Sequence, residues 1–306
     1  MQTVRCFKGG KNVINNSKVA KVITYAIMIF LVLACIIPFW LLIASSITDE
    51  NYIVQHGYSL IPKAFSLDAY RYLRTASASI GQAYLMSLVY AGIGVTANLV
   101  LTILFAYPLS RKDLPGRGAI AFFLFFTMLF NGGLVPTYLV YTNMLNFKDT
   151  IWGMIVPYLL LNPFFVIMMR TYINTSVPEE VMEAARVDGA TETQTLVKIV
   201  LPMSKPILAT IGLMVLISYW NNWTNGIYFL QQRSDLYGIQ NYLNAVINQT
   251  VFLQNHASSS MAVGFKVPTQ GVRMAIAVIA VIPLLVTYPF FQKYFVKGIT
   301  LGSVKG

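Results

Sequence analysis

The chain has 306 residues, 56% hydrophobic and 11% charged with a net charge of +11, where an ordinary soluble domain carries about 25% charged residues. That balance excludes an ordinary soluble domain. It also excludes a nucleic-acid binder, because the basic residues sit at the ends of apolar runs rather than in one stripe, and Cys6 and Cys35 are too few and too dissimilar in setting for a disulfide framework or a metal site.

At the N-terminus, Lys11, Lys18 and Lys21 lead into VITYAIMIFLVLAC, which resembles a signal peptide ending in a lipoprotein box. The apolar run continues through IIPFWLLIASSI to roughly 25 residues, beyond the ~7–15 of a signal core. It reads as a membrane span behind a short cytoplasmic segment, residues 1–19. A helix crosses the hydrocarbon with about 20 apolar residues, and six stretches qualify: roughly 20–45, 83–109, 119–142, 151–170, 206–229 and 272–292. The expected fold is an all-α polytopic membrane protein with six transmembrane helices, its transmembrane domain covering 20–306.

Orientation follows from Lys and Arg, which are enriched on cytoplasmic flanks. With the N-terminus inside, fifteen of the 22 fall inside and seven, Lys63, Arg71, Arg74, Lys148, Arg233, Lys266 and Arg273, fall outside. Both termini and the polar stretch 176–202 are therefore placed in the cytoplasm. The span interiors hold no Asp, Glu, Lys, Arg or His; their polar atoms come from neutral residues such as Asn98, Thr102, Asn131, Asn162, Asn221 and Asn222. Proton- and ion-coupled carriers keep an ionisable group in the membrane, so the pattern argues for a path whose energy arrives from elsewhere.

Within 119–142, Asn131-Gly132-Gly133 ahead of Pro136 marks a local helix break, of the kind that can line a cavity. Next, residues 176–202 are far more polar than their neighbours. Ser176-Val177-Pro178-Glu179 fits a capping box with Pro in the first turn. The helix it opens is about 12 residues, or roughly 18 Å, and meets Gly189, a residue suited to the left-handed turn that ends helices. Thr191-Glu192-Thr193-Gln194 is a second capping box, opening a helix that stops at Pro202. A helix–turn–helix invites a DNA reading, but Glu179, Glu180, Glu183, Asp188 and Glu192 against Arg186 would repel phosphates. The alternatives are a solvated loop or an acidic knob for a basic groove on another protein, with Ala184 and Ala185 permitting close approach and Glu183 supplying a charge-assisted contact.

Glu183-Ala184-Ala185, then Gly189, then Ile199-x-Leu201-Pro202 resembles the EAA loop of prokaryotic ATP-binding-cassette (ABC) importer permeases. Asp188-Gly189-Ala190 and Pro206 resemble its sugar-importer form. FNGGLVPTYL at 130–139, YWNNWTNGIYFL at 219–230 and QKYFVKGITLGSVKG at 292–306 are similar to maltose-type (MalG-like) permeases, within them to the LplC-like branch. The resemblance implies a type I ABC importer permease fold in the prokaryotic cytoplasmic membrane, and a subunit that forms half of a path for a carbohydrate, in particular an oligosaccharide. It implies four kinds of partner: a second, non-identical permease, two cytoplasmic ATPase subunits that bind ATP and Mg, an extracytoplasmic solute-binding protein, and the lipid bilayer. It makes Glu183, Ala184, Ala185, Asp188, Gly189, Ile199, Leu201 and Pro202 the ATPase-coupling residues. The chain itself has no GxxxxGK[ST] phosphate loop and no hydrolytic constellation, so neither cofactor nor catalytic residue is expected in it. The runner-up substrates are a polyol or a glycerol phosphate ester; a secondary carrier is disfavoured by the charge-free spans.

The stretch SYWNNWTN at 218–225 suggests a substrate path. Aromatic faces stack on sugar C–H faces and Asn both donates to and accepts from hydroxyls. Tyr219, Trp220, Asn221, Asn222, Trp223 and Asn225 are the candidates, with Asn131 from the third span. In a continuous helix, Trp220 and Trp223 would share one face and Asn221 and Asn225 another. The competing reading is an interfacial aromatic belt with Asn binding helices together. The following segment, about 230–271, is too polar for a span and is expected to be an extracytoplasmic loop, either probing the binding protein or merely connecting.

Overall fold

The computed structural model describes residues 18–256 and 269–303. Most of the 1–19 segment, the stretch 257–268 inside the expected outer loop, and 304–306 lie outside the described residues. Among those described the chain is helical, with one isolated antiparallel bridge, Thr48 to Phe65, in place of any strand. It divides into two compact units, residues 1–72 with 267–278, and residues 73–266 with 279–306.

In the first unit, α1 (Lys18–Ser46) has 29 residues, or about 44 Å of helix. Its apolar side chains are exposed from Val19 through Ile43. An apolar surface of that extent is foreign to a water-facing monomer and suits a lipid or subunit contact. Asp49 caps α2 (Glu50–His56), accepting from the N–H groups of Asn51 and Tyr52. Glu50 in turn accepts from the N–H groups of Gln270 and Gly271 at 2.9 Å, at the start of α15 (Thr269–Ser303). The second unit begins within α3 (Asp68–Thr75), and its spine is α4 (Ser77–Ser110), 34 residues long.

Apart from α15, the remaining membrane segments are broken rather than straight. The helix α5 (Arg117–Leu129) ends ahead of Gly133, whose φ is +84°, and α6 (Leu134–Leu139) leaves at 113° to it, continuing through a π turn to Met144. The helix break expected at Asn131-Gly132-Gly133 is thus present. The stretch 151–170 is no single helix: α7 (Ile151–Ile155) stops after five residues, the chain is irregular from 156 to 162 with Tyr158 at φ +65°, and α8 (Pro163–Ser176) starts under a cap from Asn162. Pro157 and Pro163 each remove a backbone donor, which hydropathy does not register. After α9 (Glu179–Val187), α10 (Glu192–Thr195) runs through a π turn into α11 (Leu201–Met203). This helical path turns by 79° at Ser204 into α12 (Lys205–Trp220). The chain breaks again at 221–223, then forms α13 (Thr224–Phe229), α14 (Ile239–His256) and α15 (Thr269–Ser303).

The six apolar stretches are therefore not six straight helices. Among the described residues three helices are long and apolar enough to cross a membrane, or up to five if each bent pair is one span. The stretch 206–229 is two helices and a turn, and α14 turns what read as a loop into 18 residues of helix.

The second unit's core forms where α4 packs on α12 and α8. Met86, Tyr90, Ile103, Val166, Met169, Ile211 and Val215 are buried there. The contact of α4 with α12 is close at Gly94, where a Cβ would lie 2.2 Å from the Tyr219 ring. Two contacts on α4 set the geometry of function. Near its start, Ser87 Oγ accepts from the Ile239 N–H at 2.8 Å; near its end, the Tyr107 hydroxyl donates to Glu192. Twenty residues of helix separate them, about 30 Å, one hydrocarbon thickness. The 176–202 segment and the start of α14 thus sit at opposite ends of one span.

Candidate functional site

One candidate site is built on α9. The expected capping box at Ser176 does not form: Ser176 closes α8, Pro178 occupies the N-cap without a side-chain hydrogen bond, and α9 has nine residues rather than twelve. Its start is instead fixed by an ion pair, Lys112 Nζ to Glu179 Oε2 at 2.6 Å. At its end Gly189 has φ +79°, and the Ala190 N–H reaches the Ala185 carbonyl at 2.9 Å, the left-handed closure that glycine permits. The second capping box is present in both directions: Thr191 Oγ1 accepts from the Gln194 N–H at 3.3 Å, and Gln194 Oε1 from the Thr191 N–H at 3.0 Å. The helix it opens continues past Pro202 to Met203. The π turn at Leu196–Val200 comes immediately before that proline, which brings no donor to the ladder and whose ring would crowd the carbonyl four residues back.

Behind α9, Arg186 is held by two carboxylates: Nη2 is 2.9 Å from Asp113 Oδ2 and 2.6 Å from Glu192 Oε1. These residues, with Tyr107, Arg111 and Leu114, line a cavity of about 300 Å³. The Arg186 guanidinium holds the Asp113 carboxyl below its ordinary range, and Lys112 does the same for Glu179. So Glu179 and Glu192 are engaged within the chain, and Glu180, Glu183 and Asp188 form no ion pair among the described residues. Met182 and Ala185 face inward, at 7% and 8% exposure, while Glu183, Ala184 and Gly189 are exposed. Val187 is 88% exposed. It lies three and four residues beyond Ala184 and Glu183, on the same face, and its apolar side chain is the one member of this surface that the sequence reading passed over. Ala185 packs inward within this chain. Of the later positions, Ile199 and Leu201 are half-buried and Pro202 is exposed.

At the other end of α12 the seven path candidates do not converge. Tyr219, Trp220 and Asn225 are buried at 3%, 4% and 3% exposure. Each is already occupied. The Tyr219 hydroxyl donates to the Ile155 carbonyl at 2.9 Å, Trp220 Nε1 to Ala280 at 3.2 Å, and Asn225 Nδ2 to Pro157 at 3.0 Å and Met154 at 3.4 Å. The half-buried Asn222 also donates to Met154, at 3.2 Å. Tyr219, Asn222 and Asn225 satisfy the carbonyls left open where α7 ends, and Asn98 does the same for Leu159 at 2.8 Å. Because 221–223 is a turn, the helix-face pairings of a continuous span do not exist. Asn221 and Trp223 are exposed; Asn131 is exposed too, its Oδ1 accepting from the Gly133 N–H at 2.8 Å within its own turn. Beside this cluster Asp149, at φ +53°, gathers the Gln231, Gln232 and Arg233 N–H groups on one oxygen at 2.8, 2.9 and 3.3 Å.

Comparison with known proteins places this geometry. The family described as the binding-protein-dependent transport system inner membrane component matches residues 15–301. Among curated relatives, the polygalacturonan/rhamnogalacturonan transport system permease protein YtcP of Bacillus subtilis (strain 168) is 38% identical over 282 residues, 92% of this chain and 96% of that protein. Protein LplC of the same organism is 36% identical over 275 residues, 89% of this chain and 90% of that protein. Among solved structures, a chain of a bacterial ABC transporter involved in the import of the acidic polysaccharide alginate superposes with a TM-score of 0.76 at 28% identity, covering 91% of this chain and 97% of that one. The chain belongs to the binding-protein-dependent inner-membrane transport family and has the ABC importer permease fold; it is a transport subunit, not an enzyme.

Proposed function

We propose that this chain forms half of the translocation path of an ABC importer for a carbohydrate, an oligosaccharide in particular, in a prokaryotic cytoplasmic membrane. It crosses six times with both termini in the cytoplasm, several crossings being bent or broken helices. A second, non-identical permease completes the path, two ATPase subunits bind ATP and Mg, and a solute-binding protein delivers the sugar. The observation that carries the coupling reading is the outward face of α9. Glu180, Glu183, Ala184 and Val187 are presented together, while the helix is strapped from behind through Lys112–Glu179 and Asp113–Arg186. Two free carboxylates, a small residue and one apolar contact suit a basic, partly apolar cleft. The names of the relatives support a carbohydrate as substrate.

Substrate-stimulated ATP hydrolysis by the chain purified with its neighbouring gene products tests this reading. Stimulation by a sugar-loaded binding protein is expected, and stimulation by a polyol or glycerol phosphate ester alone would replace the substrate class. Glu183→Ala should insert normally, lose transport and retain less ATPase in pull-downs. Truncating one partner of a hydrogen-bonded interface charge pair typically loses ~2–5 kcal/mol. Full transport with a normally assembled complex would remove α9 from coupling.

A further inference from the structure

The helix α14 carries asparagines at 241, 244 and 248, three, four and seven residues apart, one stripe along a helix. Together with Gly226 and Tyr237 they line a cavity of about 230 Å³. Asn241 is 5% exposed. Its Nδ2 donates to the Trp223 carbonyl at 2.7 Å, but its buried Oδ1 has no hydrogen-bond partner. Native interiors rarely leave such an acceptor empty. The amide lies close against Gly226, where a Cβ would fall 1.8 Å from Asn241 Nδ2; glycine is required for the amide to sit there. At the outer part of the stripe, Asn248 Nδ2 donates to Asn244 Oδ1 at 2.7 Å. Among the described residues no Asp, Glu, Lys or Arg lines this cavity. An adjoining one of about 430 Å³ shares Tyr237 as a wall and adds Gln82; the one charged residue lining it is Asp235, paired with Arg233 at 2.7 Å.

We propose that the asparagine stripe of α14 is a subsite for an uncharged sugar ring, one unit of the oligosaccharide in transit; this rests on the carbohydrate reading above. A hydroxyl would donate to Asn241 Oδ1, the Asn244 and Asn248 amides would meet neighbouring hydroxyls as donor and acceptor, and the Tyr237 ring would offer an apolar face to ring C–H groups. The cavity is smaller than the ~300–1,000 Å³ of drug-sized pockets, which suits one ring, with the adjoining cavity for the next. Neutral amides with a single carboxylate nearby and no unpaired cation disfavour uronate units.

The test uses the complete transporter in nanodiscs, with Cys6→Ser and Cys35→Ser and a reporter Ala245→Cys in the same cavity lining, and reads the rate of labelling by a water-soluble maleimide. Maltotriose, cellotriose, galactotriose and trigalacturonate are added in turn. At least one neutral trisaccharide should slow labelling several-fold and trigalacturonate should not. Asn241→Leu should abolish the protection, and Asn244→Ala should weaken it in case the first variant assembles poorly. The proposal is overturned by absence of protection from all three neutral sugars, by equal protection from trigalacturonate, or by protection that survives both variants. Shielding by sugar-free binding protein alone would also overturn it, making the stripe a protein-docking face. Uptake of labelled sugar by the same strain is measured in parallel. Sugar uptake without protection sinks the subsite and leaves the carbohydrate reading standing; uptake of a polyol with no sugar uptake sinks both.

Discussion

Replacing Asn225 with leucine separates a structural role from a substrate role in one residue. The substitution conserves size and removes the Nδ2 donor that reaches Pro157 at 3.0 Å and Met154 at 3.4 Å. Met154 keeps the Asn222 amide at 3.2 Å, so one carbonyl, Pro157, is left without a donor in a buried site. Leaving a buried acceptor unsatisfied costs about 1–3 kcal/mol, roughly a 5- to 150-fold shift in the folded-to-unfolded ratio. Exposed Asn221→Leu should stay within about ±0.5 kcal/mol. Asn225→Asp should be worse than leucine, because it sets an acceptor-only buried charge against two carbonyls. The assay is the thermal midpoint of the purified complex in nanodiscs, with uptake normalised to assembled transporter. Lower stability with proportionate loss of uptake is expected. If Asn225→Leu keeps full stability but loses or re-selects sugar transport, the amide serves the substrate and the carbonyl-capping account is wrong.

Gly94→Val should destabilise more than any exposed substitution, since its Cβ would fall 2.2 Å from the Tyr219 ring and overpacking costs about 1–3 kcal/mol or more; the companion Tyr219→Ala should relieve part of the loss in the same thermal assay. Single cysteines at Ser59 and Gln232 should react with an impermeant thiol reagent on intact cells, and one at Thr191 only after the membrane is opened; outside labelling at Thr191 would invert the orientation. Asp113→Arg should loosen α9 and reduce ATPase retention, and the swapped pair Asp113→Arg with Arg186→Asp should restore it. The Asp149 carboxyl is held below its ordinary 3.8, first by the Gln232 N–H. A depressed carboxyl stabilises above its unfolded value and stops doing so as pH falls through the folded one. A spin label at Gln232 should therefore stay immobile down to pH below 3.8 and become mobile at every pH in Asp149→Ala, which removes the acceptor.

What the sequence made legible was local. Gly189 and the Thr191–Gln194 box carry their structural reasons within a few residues, and the turn at Asn131-Gly132-Gly133 does as well. At residues 218–225 the structural reasons lie far along the chain. The partners of Tyr219 and Asn225 are carbonyls 64 to 71 residues away, and no periodicity reports such a pairing. The interruption of 151–170 was signalled by Pro157 and Asn162-Pro163, but an apolar tally outweighed the punctuation. Helix α14 was hidden by its polarity, although Ile239, Tyr242, Leu243 and Val246 keep a 3.6-residue spacing. Its amides are polar because they line a cavity, not because the segment is a loop.

These corrections explain one another through a single constraint. Inside a membrane an open carbonyl finds no water, so irregular backbone persists only where protein groups satisfy it. The break after α7 is such a place, and Asn98, Tyr219, Asn222 and Asn225 are its donors. An ionisable group would serve there poorly, since it would bring a charge to a site that needs only a neutral donor. The same economy accounts for spans free of ionisable residues in a chain whose energy is supplied from outside it. It also fixes what moves together. The helical path from Glu192 to Met203 meets α12 across Ser204 alone, and α12 carries Tyr219 at its far end, locked to the α7 break. A displacement imposed on α9–α11 by an ATPase would therefore travel about 24 Å along α12 to the outer polar cluster, where the asparagine stripe of α14 hangs from the Trp223 carbonyl.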